Sequence, residues 1–449
     1  MPKSTPFLRV LAVTTRVAES GGLRGGSIDS PTPAASADVP AMRVEGWAIA
    51  RDVPAVRVQV CHRDRVLREA PLDIPRPKAV EQAGVDEQTR PGFSLPVSLL
   101  ALPPTCELSV NITLSDGRAV PLGSITVEHS PIRPSRKPVL QPLLVTSLGR
   151  TGTTWLMRLL AEHPRVVAHR RYPYETRAAG YWLHMLQLAS QPAHDEDLDS
   201  FLSSSSHLGP NPAYGARTSQ DVRLTRWFQR TYPLHLATFC QEAADSFYEQ
   251  VALEQGETAP EYFAEKTLPD HIPVLAAEVW SASRELILVR DPRDVLCSIL
   301  AFNERRGFTA FGREQVESDL EFIPLLCRDM EQLLWHARSR SAAAQLVRYE
   351  DLLVQPEVEL TEILGYLGAD ASPDTIAGML ERASEESAHL TKHRTSADAK
   401  ASIGRWRRDL SPELIDCANQ SFAQVLEELG YRTEAADDSG PLALVEARR

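Results

Sequence analysis

Apolar runs of strand length recur along the chain, and each ends abruptly in polar residues. They lie near Leu143–Ser147, Tyr262–Lys266, Leu286–Val289 and Leu346–Tyr349, and stretches with helical spacing separate them. This alternation predicts a parallel sheet flanked by helices over residues 142–435. Because the carboxyl ends of parallel strands meet at one edge of a sheet, the polar residues that follow these strands predict one shared site.

A different pattern precedes this region. Residues 1–40 are rich in Gly, Ser, Pro and Ala, which predicts a flexible leader. Short alternating segments and a turn at Ser115–Arg118 predict a small antiparallel β-sandwich over residues 41–129, either for acceptor contact or for packing and oligomerisation. The proline-containing stretch 130–141 is typical of a stiff linker, and residues 436–449 are typical of a flexible tail.

The loop after the first of these strands carries the clearest chemical signal. It reads Gly149-Arg150-Thr151-Gly152-Thr153-Thr154 and leads into a helical pattern. N–H groups at a helix start favour an anion, and glycines let the backbone approach it closely. Thr153 and Thr154 can add hydroxyl donors, and Arg150 adds positive charge. A tight turn with a capping threonine would also fit the loop alone.

A second strand-to-helix junction has a similar character. Arg290 stands at the end of the run Leu286–Val289, and Pro292 fits the first turn of a helix. Ser298 follows two turns later, near the helix face that carries Asp291 and Asp294. A buried strand followed by a solvated charge cluster would explain this segment by itself. Its position after the first loop favours a shared anion site.

Taken together, the two junctions resemble those of the sulfotransferase family. There the first loop holds the 5′-phosphosulfate of 3′-phosphoadenosine-5′-phosphosulfate (PAPS), and the strand-end Arg and helix Ser hold its 3′-phosphate. The resemblance implies the P-loop-type sulfotransferase fold. Fragments at Lys266-Thr267-Leu268-Pro269, Val347–Leu352 and Gly404–Arg407 extend it over Pro142 to Tyr431. The implied cofactor-binding residues are Gly149, Arg150, Thr151, Gly152, Thr153, Thr154, Arg290, Ser298, Tyr349 and Arg405.

The resemblance also implies the catalytic groups. Arg150 and Lys266 would stabilise the departing phosphate, and a carboxylate would remove the acceptor proton. Glu175 is the candidate base, because its Glu-Thr-Arg context is similar to that of the tyrosylprotein branch. His169 is the second candidate. In the alternative interpretation, Glu175 caps the next helix or pairs with neighbouring arginines.

Overall charge limits the class of partner. The net charge of −12 argues against nucleic-acid binding, which depends on broad positive fields. Arginines nevertheless cluster locally. The pair Arg290 and Arg293 and the group Arg405, Arg407 and Arg408 overlap the motifs, so both clusters are interpreted as part of the anion site.

Cysteine usage and hydropathy bear on the compartment. The six cysteines are scattered without paired spacing, which is typical of free thiols in a reducing environment. No stretch approaches the ~18 apolar residues of a membrane span. These features predict a cytoplasmic protein. No metal-ligand spacing such as C-x-x-C or H-E-x-x-H is present in the sequence, so no metal cofactor is expected.

The expected activity is transfer of a sulfuryl group from PAPS to an acceptor hydroxyl, on a carbohydrate or glycolipid. A P-loop kinase-like phosphotransferase is one alternative, which the absence of a Gly-Lys pair after the loop opposes. A non-catalytic nucleotide- or glycan-binding protein is another. The joint presence of Arg150, Lys266, Arg290 and Ser298 argues against it.

Overall fold

The chain divides into two units, and each contains its own sheet structure. The described residues of this computed structural model are 6–17, 21–171, 173–192, 227, 231–257, 259–384 and 399–432. The first unit, here called the N-terminal unit, contains Met1–Pro138, Tyr181–Ala244 and Val274–Ser281. The second, the C-terminal unit, contains Val139–Gly180, Asp245–Pro273 and Ala282–Arg449. The predicted tail, 436–449, lies outside the described residues.

Antiparallel strands build the N-terminal unit. They are β1 Leu8–Thr15, β2 Leu23–Ser30, β3 Ser36–Ala37, β4 Ala41–Ala50, β5 Ala55–His62, β6 Arg65–Pro71, β7 Gly92–Ser98, β8 Thr105–Leu114 and β9 Ala119–His129, with helix α1 Pro77–Ala83. One sheet has the order β3-β1-β9-β8-β5-β6 and the other the order β2-β4-β7. Leu108 and Val110 of the first sheet share an apolar core with Val44 and Phe93 of the second. The predicted antiparallel β-domain is confirmed.

The prediction of a flexible leader over residues 1–40 was wrong for the described part of that range. Strand β1 buries Leu8 and Val10 in the core, and β2 contributes Leu23. The glycines of β2 reflect close packing, because a Cβ added to Gly26 would lie 2.6 Å from Leu122. Composition suggested flexibility, but tertiary contacts decide how these glycines are used.

The predicted linker, 130–141, is also attached to the unit that it follows. Ile132 is buried, and its N–H donates to the Glu278 carboxylate at 3.0 Å. The Ala101 N–H donates to the same carboxylate at 3.1 Å. Burial raises the pKa of Glu278 to about 7. A buried acceptor therefore fixes the start of a segment whose prolines alone predicted a stiff linker.

Parallel strands form the sheet of the C-terminal unit. They are β10 Gln141–Thr146, β11 Val166–Val167, β12 Tyr262–Thr267, β13 Arg284–Val289 and β14 Ala344–Arg348. Their spatial order is β11-β12-β10-β13-β14, and every pair is parallel. The predicted parallel sheet is confirmed. Strand β10 lies between β12 and β13, so later strands are added to the sheet on both sides of β10. Ligands of open parallel sheets bind at such a switch in strand order.

Helices of both units follow one another along the chain. They are α2 Thr153–Ala161, α3 Ala178–Ala189, α4 Tyr232–Glu254, α5 Ile272–Val279, α6 Pro292–Arg306, α7 Asp319–Arg340, α8 Tyr349–Val354, α9 Pro356–Leu367, α10 Pro373–Ser384, α11 Trp406–Asp409, α12 Pro412–Ser421 and α13 Ala423–Glu428, with short 3₁₀ turns at Arg313–Gln315 and Lys400–Ser402. Leu286 and Leu288 pack in one cluster with α2, α8, α9 and α10. Ile287 and Val289 pack in another with α6, α7, α12 and α13. Successive side chains of β13 thus pack into two hydrophobic cores, one on each face of the sheet.

Candidate active site

The loop between β10 and α2 depends on two glycines. Gly152 has φ +100° and precedes α2 directly. A Cβ on Gly152 would lie 2.3 Å from the Tyr349 ring, and one on Gly149 would lie 2.4 Å from the Phe311 ring. Neither position has room for a larger residue. The loop therefore delivers the first N–H groups of α2 to the carboxyl edge of the sheet, where they favour an anion.

The three threonines of the loop have different surroundings. Thr151 is fully buried, and its hydroxyl lies 3.0 Å from the Leu148 carbonyl and 2.5 Å from the Ser147 hydroxyl. The Ser147 hydroxyl in turn donates to the Leu288 carbonyl at 2.6 Å. The Thr151 hydroxyl thus forms hydrogen bonds within the loop and its preceding strand end. Thr153 and Thr154 are half-buried at the start of α2.

The two predicted anion-binding junctions meet. Arg150 donates from Nε to the Ser298 hydroxyl at 3.2 Å, and its guanidinium lies 4.7 Å from the centre of the Phe302 ring. Arg290 donates from Nη1 to the Arg150 carbonyl at 3.2 Å. Loop and helix α6 are therefore joined by side chains that the sequence predicted to share one ligand.

Arg290 is the residue best suited to hold an anion here. It is 4% exposed, and it donates from Nη2 to the Ser402 carbonyl at 2.8 Å. Its guanidinium stacks 4.7 Å from the centre of the Tyr349 ring. Within the part of the chain that the structure describes, the buried Nε–H of Arg290 has no hydrogen-bond partner. A buried donor without a partner is rare, and an anion bound beside Arg290 would supply the missing acceptor.

Arg405 and the segment around it are fastened to α6. Arg405 is buried and forms a 2.6 Å ion pair with Asp409. Asp294 accepts hydrogen bonds from the Gly404 N–H at 2.7 Å and the Trp406 N–H at 3.0 Å. Burial, with a contribution from nearby Asp291, raises the pKa of Asp294 to about 7. Asp294 thus anchors the segment that carries Arg405.

The interpretation of Arg293 as part of the anion site was wrong. Arg293 is 1% exposed, pairs with Asp291 at 2.7 Å and lies 3.9 Å from the centre of the Trp406 ring. It also donates to Asn419 and to the Arg432 carbonyl, both at 2.9 Å. Its donors are directed into the core, so it stabilises the fold.

Lys266 connects the phosphate-type loop to the candidate base. Its ammonium lies 2.9 Å from the Thr154 hydroxyl, 2.6 Å from the Pro173 carbonyl and 3.3 Å from the Glu175 carboxylate. The Lys266 side chain is 7% exposed, whereas that of Glu175 is 37% exposed. Burial lowers the pKa of Lys266, and Glu175 acts in the opposite direction. The cation is therefore desolvated while the carboxylate keeps access to solvent.

Both oxygens of Glu175 face a cation. Oε1 faces Lys266, and Oε2 lies 3.6 Å from Nη2 of Arg177. His169, the second candidate base, is half-buried, and the hydrogen bonds described for Lys266 and Thr154 do not include it. Tyr172, which precedes this segment, lies outside the described residues. Of the two candidate bases, Glu175 is the one whose described hydrogen bonds connect it to Lys266.

No group of three or more His, Cys, Asp or Glu side chains in the described ranges is arranged to hold a metal ion. Among the helices described, none is long and apolar enough to cross a membrane.

Part of the chain is similar to known proteins. A model described as "Sulfotransferase family" matches residues 142–373. Carbohydrate sulfotransferase 1 of Homo sapiens is 29% identical over 175 residues, which cover 36% of this chain and 42% of that protein. Its counterpart from Danio rerio is 30% identical over 156 residues, covering 32% and 37%. The chain thus spans about two fifths of the length of these curated relatives.

The chain is also similar to solved structures. The sulfotransferase domain from the curacin biosynthetic pathway is 14% identical, with a TM-score of 0.39 over 66% of this chain and 99% of that one.

Proposed function

Because this chain belongs to the sulfotransferase family, we propose that it transfers a sulfuryl group from PAPS to a hydroxyl group of a carbohydrate or glycolipid. One observation carries the proposal. The Lys266 ammonium contacts both Thr154, at the start of the loop helix, and the Glu175 carboxylate. A single buried cation thus joins the expected phosphate site to the expected base.

The residues of the anion site fit the donor. The α2 N-terminus and the narrow turn at Gly152 suit a phosphate group. The unpartnered Nε–H of Arg290 belongs to a guanidinium that stacks on Tyr349. Arg150 and Ser298 are hydrogen-bonded to each other nearby. This group of donors suits a second phosphate. We expect the loop from Gly149 to Thr154 to hold the 5′-phosphosulfate, with Arg290, Ser298, Tyr349 and Arg405 around the 3′-phosphate.

The chemistry follows from charge and position. When bound, PAPS supplies the sulfuryl group together with a phosphate leaving group. Glu175 takes the proton of the acceptor hydroxyl on a carboxylate oxygen, as general-base catalysis requires. The Lys266 ammonium and the Arg150 guanidinium hold positive charge at the loop, where negative charge develops. Such fixed charge in a desolvated site is a large part of many rate enhancements.

The acceptor class rests on the relatives. The curated proteins that match over 175 and 156 residues are named carbohydrate sulfotransferases. A screen of mono- and oligosaccharides, glycolipids, phenols and tyrosyl peptides tests it, with transfer to sugar hydroxyls as the expected result. Transfer confined to phenols or tyrosyl peptides would exclude a carbohydrate acceptor. The cytoplasmic location stays a prediction.

The donor is tested by calorimetric titration of 3′,5′-ADP, the product nucleotide, without magnesium. We expect tight binding to the wild-type chain and weaker binding to Arg150→Ala and Arg290→Ala. Arg9→Ala, which makes the same charge change at an exposed position of β1, is the matched control and should bind like wild type. Failure of a folded wild-type chain to bind would remove PAPS as the donor.

The alternatives give other outcomes. A kinase-like phosphotransferase would bind ATP with magnesium and lose activity on addition of a chelator. A non-catalytic protein would bind 3′,5′-ADP but transfer no sulfuryl group to any acceptor in the screen. Activity that persists with chelator present is the outcome expected for sulfuryl transfer.

A further inference from the structure

Two adjacent residues of β12 hold one short segment from opposite faces of the sheet. Neighbouring side chains on a strand point to opposite faces. Lys266 contacts the Pro173 carbonyl and the Glu175 carboxylate on one side. On the other side, Glu265 accepts hydrogen bonds from Thr176 and the first residues of α3. The segment 173–179 therefore passes around the carboxyl end of β12 and is fastened on both sides.

The surroundings of Glu265 are unusually complete for a buried carboxylate. It is 1% exposed. Oε1 accepts from the Thr176 hydroxyl at 3.0 Å and the Ala178 N–H at 2.5 Å. Oε2 accepts from the Ala179 N–H at 2.9 Å and the Tyr248 hydroxyl at 3.1 Å. Burial raises the pKa of Glu265, and the N–H donors from Ala178 and Ala179 oppose that rise.

The segment needs such anchoring because its backbone is strained. Tyr174 has φ +64° and Arg177 has φ +49°, both in the left-handed region that residues with a side chain rarely adopt. Strained backbone persists only where the surrounding structure imposes it. Glu175 lies between these two residues, so its position depends on the anchors at either end of the segment.

We propose that Glu265 is a positioning residue, which places Glu175 beside Lys266 by holding the start of α3 and the Thr176 hydroxyl. The proposal rests on the proposed function, in which Glu175 is the base. Lys266 holds one end of the segment, at the Pro173 carbonyl. Glu265 fixes the other end, and only the residues 174–177 lie between the two anchors.

The test combines hydrogen–deuterium exchange with kinetics on the full chain carrying Glu265→Gln. The amide of glutamine replaces one acceptor oxygen with a donor, which cannot satisfy the donors that face it. We expect exchange of the Ala178 and Ala179 amides to accelerate by roughly tenfold or more, because protection reports local opening. The rate constant kcat should fall roughly tenfold to hundredfold, while the affinity for 3′,5′-ADP stays near the wild-type value.

Two further variants keep the test decisive. Among the described residues, Tyr248 is a donor to Glu265 that lies outside the segment, and its hydroxyl also faces the Ala179 N–H. Tyr248→Phe should therefore leave exchange of the Ala178 amide close to wild type. Thr176→Val removes a single donor from the segment and should accelerate exchange in the same direction, by less. If Glu265→Gln does not fold, Thr176→Val takes its place in the exchange measurement.

A double variant separates positioning from general structural support. If Glu265 acts through Glu175, adding Glu265→Gln to Glu175→Gln should lower kcat little further. Unchanged amide exchange in Glu265→Gln, or an equal loss of kcat with and without Glu175, would overturn the proposal. If the wild-type chain sulfates no acceptor, the proposed function fails, yet the exchange measurement still decides whether Glu265 holds the segment.

Discussion

Gly152 and Tyr349 are so close that a Cβ on the glycine would lie 2.3 Å from the tyrosine ring. Tyr349 is the first residue of α8, directly after β14, and the Arg290 guanidinium lies 4.7 Å from the centre of the same ring. One aromatic ring thus contacts both the phosphate-type loop and the arginine expected to hold the 3′-phosphate. The Tyr349 ring, which follows β14, therefore connects the loop to the end of β13 by direct contacts.

Gly152→Ala should weaken binding of 3′,5′-ADP by roughly tenfold or more, because the methyl group forces the ring or the loop to move and the left-handed φ adds strain. Titration calorimetry measures the loss. Gly365→Ala is the matched control, since a Cβ at this position in α9 meets nothing within 4 Å. That variant should bind normally and gain about 0.5–1 kcal/mol of stability. Equal binding by both variants would contradict the structural role assigned to Gly152.

The pKa of Lys266 is expected to set the alkaline limit of activity. Burial lowers its pKa from the ordinary 10.5, and the proposed mechanism needs the protonated ammonium. Activity should therefore be lost as pH rises through a value below 10.5. Lys266→Arg keeps a charge that persists above pH ~12 and should move this loss to higher pH, at reduced kcat because a guanidinium differs in shape. Profiles of kcat between neutral and alkaline pH check this, with circular dichroism as the folding control. Coincident alkaline limbs would contradict a role for the Lys266 charge.

The raised pKa of Asp294 is expected to make the stability of the fold depend on pH. Its pKa is about 7 in the folded chain and about 3.9 in an unfolded chain. Between these values the unfolded chain loses the proton first, so this group lowers the free energy of unfolding as pH rises from about 4 to 7. Each pKa unit corresponds to about 1.4 kcal/mol. Asp294→Asn should remove this part of the pH dependence, so the Tm of the wild type should fall further than that of the variant between pH ~5 and ~8.

Buried carboxylates distant from Asp294 titrate alike in the wild type and the variant, so the difference in Tm reports Asp294 together with its neighbour Asp291. Asn still accepts one of the two N–H bonds from Gly404 and Trp406, and the variant is expected to be less stable at low pH. Parallel Tm curves for the two proteins would show that Asp294 does not titrate in this range.

Local pattern was enough to predict which residues the fold brings together at the strand ends. Lys266, Arg290 and Tyr349 each follow a buried apolar run, and parallel strands bring such residues to one edge. The need for glycine at positions 149 and 152 could also be predicted locally, because it follows from their positions in the loop. Fold class followed from the same alternation of strands and helices.

Roles that depend on distant partners were not readable. Asp294 anchors a segment more than 100 positions later in the chain, and Glu265 looks like any strand residue beside Lys266. Arg293 stands close to Arg290 in sequence but points into the core, toward Trp406. The leader strands were missed because their glycines are packed against side chains from other strands. Each of these depends on tertiary contacts that no local pattern encodes.

Glu175 and His169 give the sharpest catalytic prediction. Glu175→Gln should lower kcat by about 10² to 10⁴, the usual contribution of a general base, with little change in 3′,5′-ADP affinity. The reason is geometric, because the Glu175 carboxylate lies 3.3 Å from Lys266, which reaches the loop through Thr154. His169→Gln, at the half-buried second candidate, should keep kcat near the wild-type value. Rate constants at saturating donor and acceptor decide between them, and a large loss in His169→Gln with little loss in Glu175→Gln would move the base to the histidine.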